Sequence, residues 1–298
     1  MGILTVTGQV GLGSAEMIPE QRVASPARRL LARAAAATAV VLVLAGCAQD
    51  AKPAVTVSLP PAGAVADYQL GGAYPLPQGA TVVARDSTDE PAAGAYSICY
   101  LNGFQSQPAE TSSWIADRPD LVLRDEAGPV IDANWPDEIV FDTSTEAKQA
   151  GILEVIGPLI DGCAAAGFDA VEFDNLDSFT RTGGLLTASD NFALASSYVD
   201  RVHAVGLAAA QKNTAEHARL LHEESGFDFA VVEECWRFEE CGLYTAVYGD
   251  RVIDIEYVDD LRADFAETCA DPEAAGTTIL RDRDLVRAGE PGYTFAHC

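Results

Sequence analysis

Short apolar runs rich in β-branched residues alternate along the chain with longer stretches in which apolar residues recur at helical spacing. The runs predict strands near residues 68–70, 81–85, 96–101, 170–173, 207–211, 229–232, 252–256 and 278–280. The clearest helical stretch begins near Thr145, where a hydroxyl side chain can cap it, and it ends at Gly167. A second helix is predicted from about Ser189 to Val205.

This alternation of strands and helices predicts an α/β fold built from parallel βαβ units. Eight candidate strands within residues 67–298 favour a (β/α)8 TIM barrel folded as a single domain, with its active site at the carboxyl ends of the strands. A doubly wound open sheet is the alternative. No glycine-rich dinucleotide-binding sequence follows a strand and no phosphate-binding loop sequence occurs, so nucleotide-binding forms of that sheet have no support.

The N-terminal region has the composition of an export signal. Four arginines between positions 22 and 33 precede an apolar run over residues 34–44, which is shorter than the ~20 residues that span a bilayer. The run ends in Leu-Ala-Gly-Cys47, which resembles the bacterial lipobox, in which the cysteine is lipidated and becomes the mature N-terminus. An ordinary signal peptide with an incidental cysteine is the alternative.

These features predict three regions: a signal and lipoprotein leader over residues 1–46, a flexible Ala-, Pro- and Gly-rich tether over 47–66, and the barrel over 67–298. The mature protein is expected to be exported, to face outward, and to contact the cell membrane only through the lipid on Cys47.

The charge balance narrows the possible partners. The chain has 19 Lys and Arg residues against 45 Asp and Glu residues, a formal net charge of −26. Such a surface repels phosphate backbones, so a nucleic-acid partner is excluded, whereas a cationic ligand would be attracted. Solubility alone is the simpler explanation of the same charge.

Six cysteines remain when Cys47 is assigned to lipid, and an exported protein commonly pairs them in disulfides. Six cysteines allow many pairings, and the sequence does not choose among them. The spacing of Cys235 and Cys241 permits a small local loop. No Cys-x-x-Cys pair or histidine cluster occurs, so no metal site of the zinc type is predicted.

Carboxylates gather where the predicted strands end. The polar residues at these positions are Glu172, Asp174, Asp177, Lys212, Asn213, Glu233, Glu234, Glu256 and Tyr257. A barrel would bring them around one pocket, where crowded carboxylates raise one another's pKa and provide an acid and a base, as glycoside hydrolysis requires. Three alternatives remain: solvated loop charges and helix caps, a Mg²⁺ site of a metal-dependent barrel enzyme, or a non-catalytic carbohydrate-binding lipoprotein.

Several strings around these residues resemble glycoside-hydrolase family 114, the endo-α-1,4-polygalactosaminidases and their relatives. The strings are ICYLNG (98–103), GFDAVEFDNLDSF (167–179), QKN (211–213), FDFAVVEECWRFEEC (227–241) and IEYVD (255–259). The resemblance covers most of residues 67–260 in the expected order. It implies a (β/α)8 barrel, a galactosamine-containing polysaccharide as substrate and no cofactor.

Residue by residue, the resemblance implies that Asp174 and Glu233 are the catalytic carboxylates. We expect Glu233 to be the general acid and Asp174 the nucleophile or base, although the reverse assignment remains open. The positions implied to bind substrate are Asp177, Lys212, Asn213, Glu256 and Tyr257. A disulfide between Cys235 and Cys241 is implied in the same way.

Trp236 follows Glu233 by three residues and is added to the predicted substrate-binding residues, because its ring could stack on a sugar. Packing against the Cys235 loop is the alternative. The complete prediction is a monomeric, lipid-anchored glycosidase without metal or cofactor, acting on an amino-sugar polysaccharide such as a cationic galactosaminan.

Overall fold

The computed structural model describes residues 57–298, so the predicted leader 1–46, Cys47 and the first part of the tether lie outside the described residues. The last residues of the predicted tether pack on the barrel. Val57 and Leu59 lie against its interior core, and the hydroxyl of Tyr96 donates a hydrogen bond to the carbonyl of Ser58 at 2.8 Å. The packed body therefore includes residues before position 67.

Eight parallel strands form the barrel and confirm the predicted fold. They are β1 (Ala66–Gln69), β2 (Val82–Asp86), β3 (Tyr96–Asn102), β4 (Ala170–Asp174), β5 (Ala208–Lys212), β6 (Phe229–Glu233), β7 (Val252–Tyr257) and β8 (Thr277–Arg281). Each strand pairs with the next in chain order, and β8 lies beside β1. A ninth strand, β9 (Phe295–His297), pairs antiparallel with the edge of β8 that faces away from β7.

The helices lie outside the strands. They are α1 (Thr111–Asp117), α2 (Glu146–Ala166), α3 (Ala188–Ala204), α4 (Ala218–Leu220), α5 (Cys241–Tyr248) and α6 (Phe265–Ala270). The Thr145 hydroxyl accepts a hydrogen bond from the backbone N–H of Lys148 and caps α2, which ends at Gly167 with a φ of 95°. By length and composition alone α2 could cross a membrane, but it packs here as a core helix against α3.

Alternation along each strand separates two apolar layers. One set of side chains fills the barrel interior, and the set between them packs outward against the helices. Ile98 and Val231 lie inside, for example, whereas Phe173 and Val232 lie in the outer layer. This parity decides which polar residues at the strand ends can reach the centre of the barrel.

The seam between β8 and β1 is closed by a buried ion pair. Arg281 has a fully buried side chain, and its guanidinium lies 3.1 Å from the carboxylate of Asp67. It also donates hydrogen bonds to the backbone carbonyls of Tyr68 and Thr294. Because each donor has an acceptor, the guanidinium is compensated in a place where an unpaired charge would be strongly destabilising.

Two disulfides join parts of the fold that are distant in sequence, and a third closes a short local loop. Cys99 of β3 is bonded to Cys163 of α2, and Cys269 of α6 is bonded to Cys298. The third bond joins Cys235 to Cys241, the pair that the family resemblance implies. The first two pairings could not be chosen from the sequence.

The segment between β3 and α2 is an elaboration that the sequence did not predict. It contains a two-stranded hairpin, Arg124–Asp125 with Gly128–Pro129, and isolated antiparallel bridges such as Gln105 with Val140. Leu123 and Val140 form a small core of their own with Leu186. The segment contacts the carboxyl end of β3 through Glu138, whose carboxylate accepts a hydrogen bond from the Asn102 amide.

Candidate active site

A buried lysine at the end of β5 organises the site. The ammonium nitrogen of Lys212 lies 3.1 Å from a carboxylate oxygen of Asp174, 3.2 Å from Glu172 and 3.5 Å from Glu233. The Lys212 side chain is only 2% exposed, and that of Glu172 is fully buried. We call these four residues the Lys212 cluster. The ammonium nitrogen of Lys212 thus lies within 3.5 Å of an oxygen from each of the three acids.

Strand geometry brings the cluster together. Glu172 and Asp174 are two residues apart on β4, so both point into the barrel while Phe173 points outward. Lys212 and Glu233 are the last residues of β5 and β6. All four therefore lie at or near the carboxyl ends of the strands, where active sites of (β/α)8 barrels are found.

Each acid of the cluster has its own tyrosine. The hydroxyl of Tyr68 donates to Glu172 at 2.7 Å, that of Tyr100 donates to Asp174 at 2.6 Å, and that of Tyr257 donates to Glu233. Burial raises the pKa of all three phenols, so they remain donors. Sequence reasoning missed Tyr68 and Tyr100; their inward parity in β1 and β3 was the available signal.

The charges of the cluster depend on Lys212. Burial by itself would raise the pKa of Asp174, but the Lys212 ammonium and the Tyr100 hydroxyl hold that pKa below its usual value. For Glu172 burial prevails and raises the pKa to about 7. Burial disfavours the charged lysine, yet the surrounding carboxylates hold its pKa well above normal. The site thus pairs an ionised aspartate and ammonium with a glutamic acid that titrates near neutrality.

The backbone turns sharply immediately after three of the strands. Asn175, Asn213 and Glu234 follow β4, β5 and β6 with φ values of 61°, 47° and 60°. Asparagine tolerates this left-handed region, whereas for glutamate it carries a cost that other contacts must offset. Two Arg283 contacts hold Glu234, the shorter at 2.8 Å. These turns direct the chain away from the pocket just after each functional side chain.

The structure brings five of the predicted site residues together: Asp174, Glu233, Lys212, Asn213 and Tyr257. The Asn213 amide donates to the Glu233 carboxylate at 3.4 Å, and its oxygen accepts from the Glu233 backbone N–H at 2.9 Å. Oxygens of Asp174 and Glu233 both lie within 3.5 Å of one nitrogen. Their separation is therefore below the ~9.5 Å upper end of the range between glycosidase carboxyl groups.

Asp177 lies at the edge of this group, in a different environment. Its carboxylate is 2.9 Å from the Arg181 guanidinium, which also contacts Asp132 at 2.6 Å and the Asn175 side chain at 2.9 Å. Asp177 thus belongs to a polar network between the turn after β4 and the segment before α2.

Glu256 and Trp236 are outside the pocket, contrary to the placement that the sequence indicated. Tyr257 points inward, so its neighbour Glu256 points to the outer face of β7, where it is fully buried and accepts hydrogen bonds from backbone N–H groups. The Trp236 ring is buried under the guanidinium of Arg262, and its N–H donates to Asp271 at 2.9 Å. It lines a separate cavity of about 430 Å³.

Within residues 57–298, one group of three potential metal ligands is close enough to share an ion: Cys235, Cys241 and Asp254. The two sulfurs are bonded to each other, so they provide no thiolate. In the Lys212 cluster the position among the three carboxylates is already occupied by the lysine nitrogen, which supplies a positive charge there.

Comparison with known proteins gives a family and a fold. The family model of glycoside-hydrolase family GH114 matches residues 46–298. The structure is similar to Aspergillus fumigatus Ega3 in complex with galactosamine, with 19% identity and a TM-score of 0.63 over 83% of this chain and 100% of that chain. It is also similar to the glycoside hydrolase domain of PelA from Pseudomonas aeruginosa, with 16% identity and a TM-score of 0.51 over 76% and 97%. No curated protein sequence matches.

Proposed function

The chain belongs to glycoside-hydrolase family 114, and from this premise we propose that it cleaves an amino-sugar polysaccharide, of the α-1,4-polygalactosamine type, with Asp174 and Glu233. The observation that carries the proposal is the placement of both carboxylates on one buried ammonium at the carboxyl end of the barrel. The galactosamine bound in the Ega3 complex supports the choice of sugar.

In this proposal the two carboxylates have different tasks. Asp174 is the nucleophile or base, because Lys212 and Tyr100 favour its ionised form. Glu233 is the general acid that protonates the leaving oxygen, with Tyr257 and Asn213 fixing its orientation. Lys212 therefore acts on substrate mainly through the carboxylates that it holds.

The acidic surface fits a cationic substrate. A formal net charge of −26 would concentrate a partly deacetylated galactosaminan near the protein, and the attraction would weaken as salt is added. A polymer of neutral sugars would gain nothing from this field. The charge therefore favours an amine-bearing polysaccharide within the proposed class.

The main experiment incubates the full chain with polygalactosamine in its acetylated and deacetylated forms and measures product size over time. Shorter oligosaccharides are expected, and Asp174→Asn and Glu233→Gln should form them ~10²–10⁴ times more slowly while still retaining the polymer. If the wild type retains polymer but never shortens it, the protein is a carbohydrate-binding lipoprotein instead. Activity lost with a chelator and restored by Mg²⁺ would identify a metal-dependent enzyme.

A second experiment separates the two carboxylate roles. A substrate with a good leaving group, such as an aryl glycoside, needs little protonation of the departing oxygen. Glu233→Gln should therefore keep much more of its activity on the aryl substrate than on the polymer, whereas Asp174→Asn should lose activity on both. The opposite pattern would reverse the assignment.

The cellular location is part of the proposal. We infer an exported, monomeric protein anchored on the outer face of the cell membrane by lipid on Cys47. The three disulfides among the described residues fit an oxidising compartment. Mass spectrometry of the membrane-extracted protein should find a diacylglyceryl-modified Cys47 at its N-terminus, and an unmodified N-terminus beyond Cys47 would indicate simple secretion.

A further inference from the structure

Glu138 is a buried acid beside the proposed active site that the mechanism above does not use. It lies on the segment between β3 and α2, it is 8% exposed, and its Oε2 accepts a hydrogen bond from the Asn102 amide at 3.0 Å. Asn102 has the same inward parity as Tyr100 and stands opposite Asp174 in the strand register. Glu138 is therefore at the barrel mouth, next to the catalytic aspartate.

Glu138 differs from the other wholly or partly buried acids around the mouth because no protein cation among the described residues pairs with it. Glu172 and Asp174 contact Lys212, Asp132 contacts Arg181, and Asp142 contacts Lys148. Within residues 57–298, no lysine, arginine or histidine forms an ion pair with Glu138. A carboxylate removed from water without a cation is unfavourable unless a partner arrives.

The surroundings of Glu138 cannot supply that cation. Arg181, the nearby guanidinium whose charge favours the ionised form, is already bound to Asp132 and Asp177. Burial raises the pKa of Glu138 to about 7, and the charges of Asp174 and Asp132 act in the same direction. These properties indicate that a positively charged ligand would stabilise the ionised form of Glu138.

We propose that Glu138 binds the ammonium group of a deacetylated galactosaminyl unit next to Asp174 and so selects deacetylated over acetylated polymer. This inference rests on the proposed function, because it needs an amino-sugar substrate. Acetylation converts the ammonium into a neutral amide, which removes the charge-assisted hydrogen bond and leaves the acid uncompensated. Trp135, in the same turn and 59% exposed, offers an aromatic face that also attracts ligand ammonium groups.

The test compares Glu138→Gln with wild type on galactosamine oligosaccharides of equal length, fully deacetylated and fully acetylated. A hydrogen bond to a charged group is worth ~1.5–3 kcal/mol, so kcat/KM on the deacetylated substrate should fall about 10–100-fold. The acetylated substrate should lose less than about threefold. Asp137→Asn is the matched control, because it removes one negative charge from an exposed neighbour in the same segment.

Two further measurements keep the inference decidable. Glutamine can still accept the Asn102 hydrogen bond, so Glu138→Gln is expected to fold. If it does not, Glu138→Asp, which keeps the charge on a shorter side chain, replaces it in the same comparison. If the wild type hydrolyses neither oligosaccharide, the proposed function fails, and calorimetric binding of the same two oligosaccharides then decides the role of Glu138. Equal losses on both substrates, or no loss on the deacetylated one, would overturn the inference.

Discussion

Two groups of wholly or partly buried carboxylates lie on neighbouring strands of this barrel and are compensated in different ways. Inside, the Lys212 cluster surrounds one ammonium with three acids. On the outer face of β7, Asp254 and Glu256 form a pair, here called the outer pair, whose partners are backbone N–H groups. Glu256 accepts from Trp236 and Arg237 at 2.9 and 3.1 Å, and Asp254 accepts from Cys235 at 3.0 Å.

Burial favours the protonated form of the acids in the outer pair. Burial raises the pKa of both Asp254 and Glu256, and the charge of Glu256 raises that of Asp254 further. Each of the two acids has one oxygen without a partner among the described residues. A proton retained on one of these carboxyl groups would lower the charge of the pair. The pair therefore serves as an anchor for the loop after β6, whereas the Lys212 cluster keeps at least one carboxylate ionised for chemistry.

The largest difference between the two groups should appear in catalysis. Asp174→Asn or Glu233→Gln should lower the hydrolysis rate by ~10²–10⁴, because each removes the proposed acid or base. The fold should be retained, because two carboxylates of the cluster still face Lys212 in each variant. The measurement is the initial rate of polymer cleavage together with urea unfolding.

The matched control in the outer pair is Glu256→Gln. Its carbonyl can still accept from the backbone and its amide can donate to Asp254, so the rate should change much less than at either inner position. If Glu256→Gln were as inactive as Glu233→Gln, the assignment of the two groups to catalysis and anchoring would be wrong.

Removing the lysine should give the next largest effect. Lys212→Met fills similar space but leaves the buried Glu172 and the partly buried Asp174 without their cation. Breaking a buried ion pair typically costs ~3–5 kcal/mol in the free energy of unfolding. Adding Glu172→Gln should recover part of this loss, because one uncompensated acid disappears. Urea unfolding of the single and double variants tests whether Lys212 and Glu172 are coupled. If the free-energy changes of the two single variants simply add in the double variant, they are not.

The sequence predicts the barrel and the inner cluster better than the outer pair, and parity explains the difference. Apolar runs predict where the strands end. The run 252–256, however, does not reveal that β7 extends to Tyr257 or that the Tyr257 side chain points inward. Glu256 is therefore predicted to lie in the pocket, whereas it lies on the outer face of β7. The β3–α2 segment has no regular period, which left Glu138 unidentified. The pairings of Cys99 and Cys269 depend on contacts between distant elements.

The pH dependence of stability distinguishes a titrating inner acid from the rest of the fold. Glu172 has a folded pKa of about 7 against an ordinary value of 4.5, so the folded state binds the proton more tightly. The contribution of Glu172 to stability should be greatest below pH ~4.5, fall through the window up to ~7 and then level off, a loss of roughly 3 kcal/mol.

Glu172→Gln should remove this part of the slope. Glu138, whose pKa is also about 7, and the outer pair retain theirs, so a smaller decline should remain. Unfolding free energies at pH 5 and pH 8 provide the measurement. Identical slopes for wild type and Glu172→Gln would show that Glu172 is ionised throughout this range.

The smallest expected effect concerns two arginines that make the same kinds of contact on the two sides of the β6 loop. Arg283 lies 4.4 Å from the ring centre of Tyr257 and pairs with Glu234, whereas Arg262 lies 4.0 Å from the ring centre of Trp236. Half-exposed contacts of this type contribute ~0.5–1 kcal/mol each.

Because Tyr257 orients Glu233, Arg283→Ala should lower kcat by about fivefold with little change in KM. Arg262→Ala should lower the free energy of unfolding by the same ~0.5–1 kcal/mol. It should leave kcat within about twofold of wild type, since Trp236 packs outside the pocket. Equal kcat values for the two variants would show that the Arg283 contact does not help Tyr257 to orient Glu233.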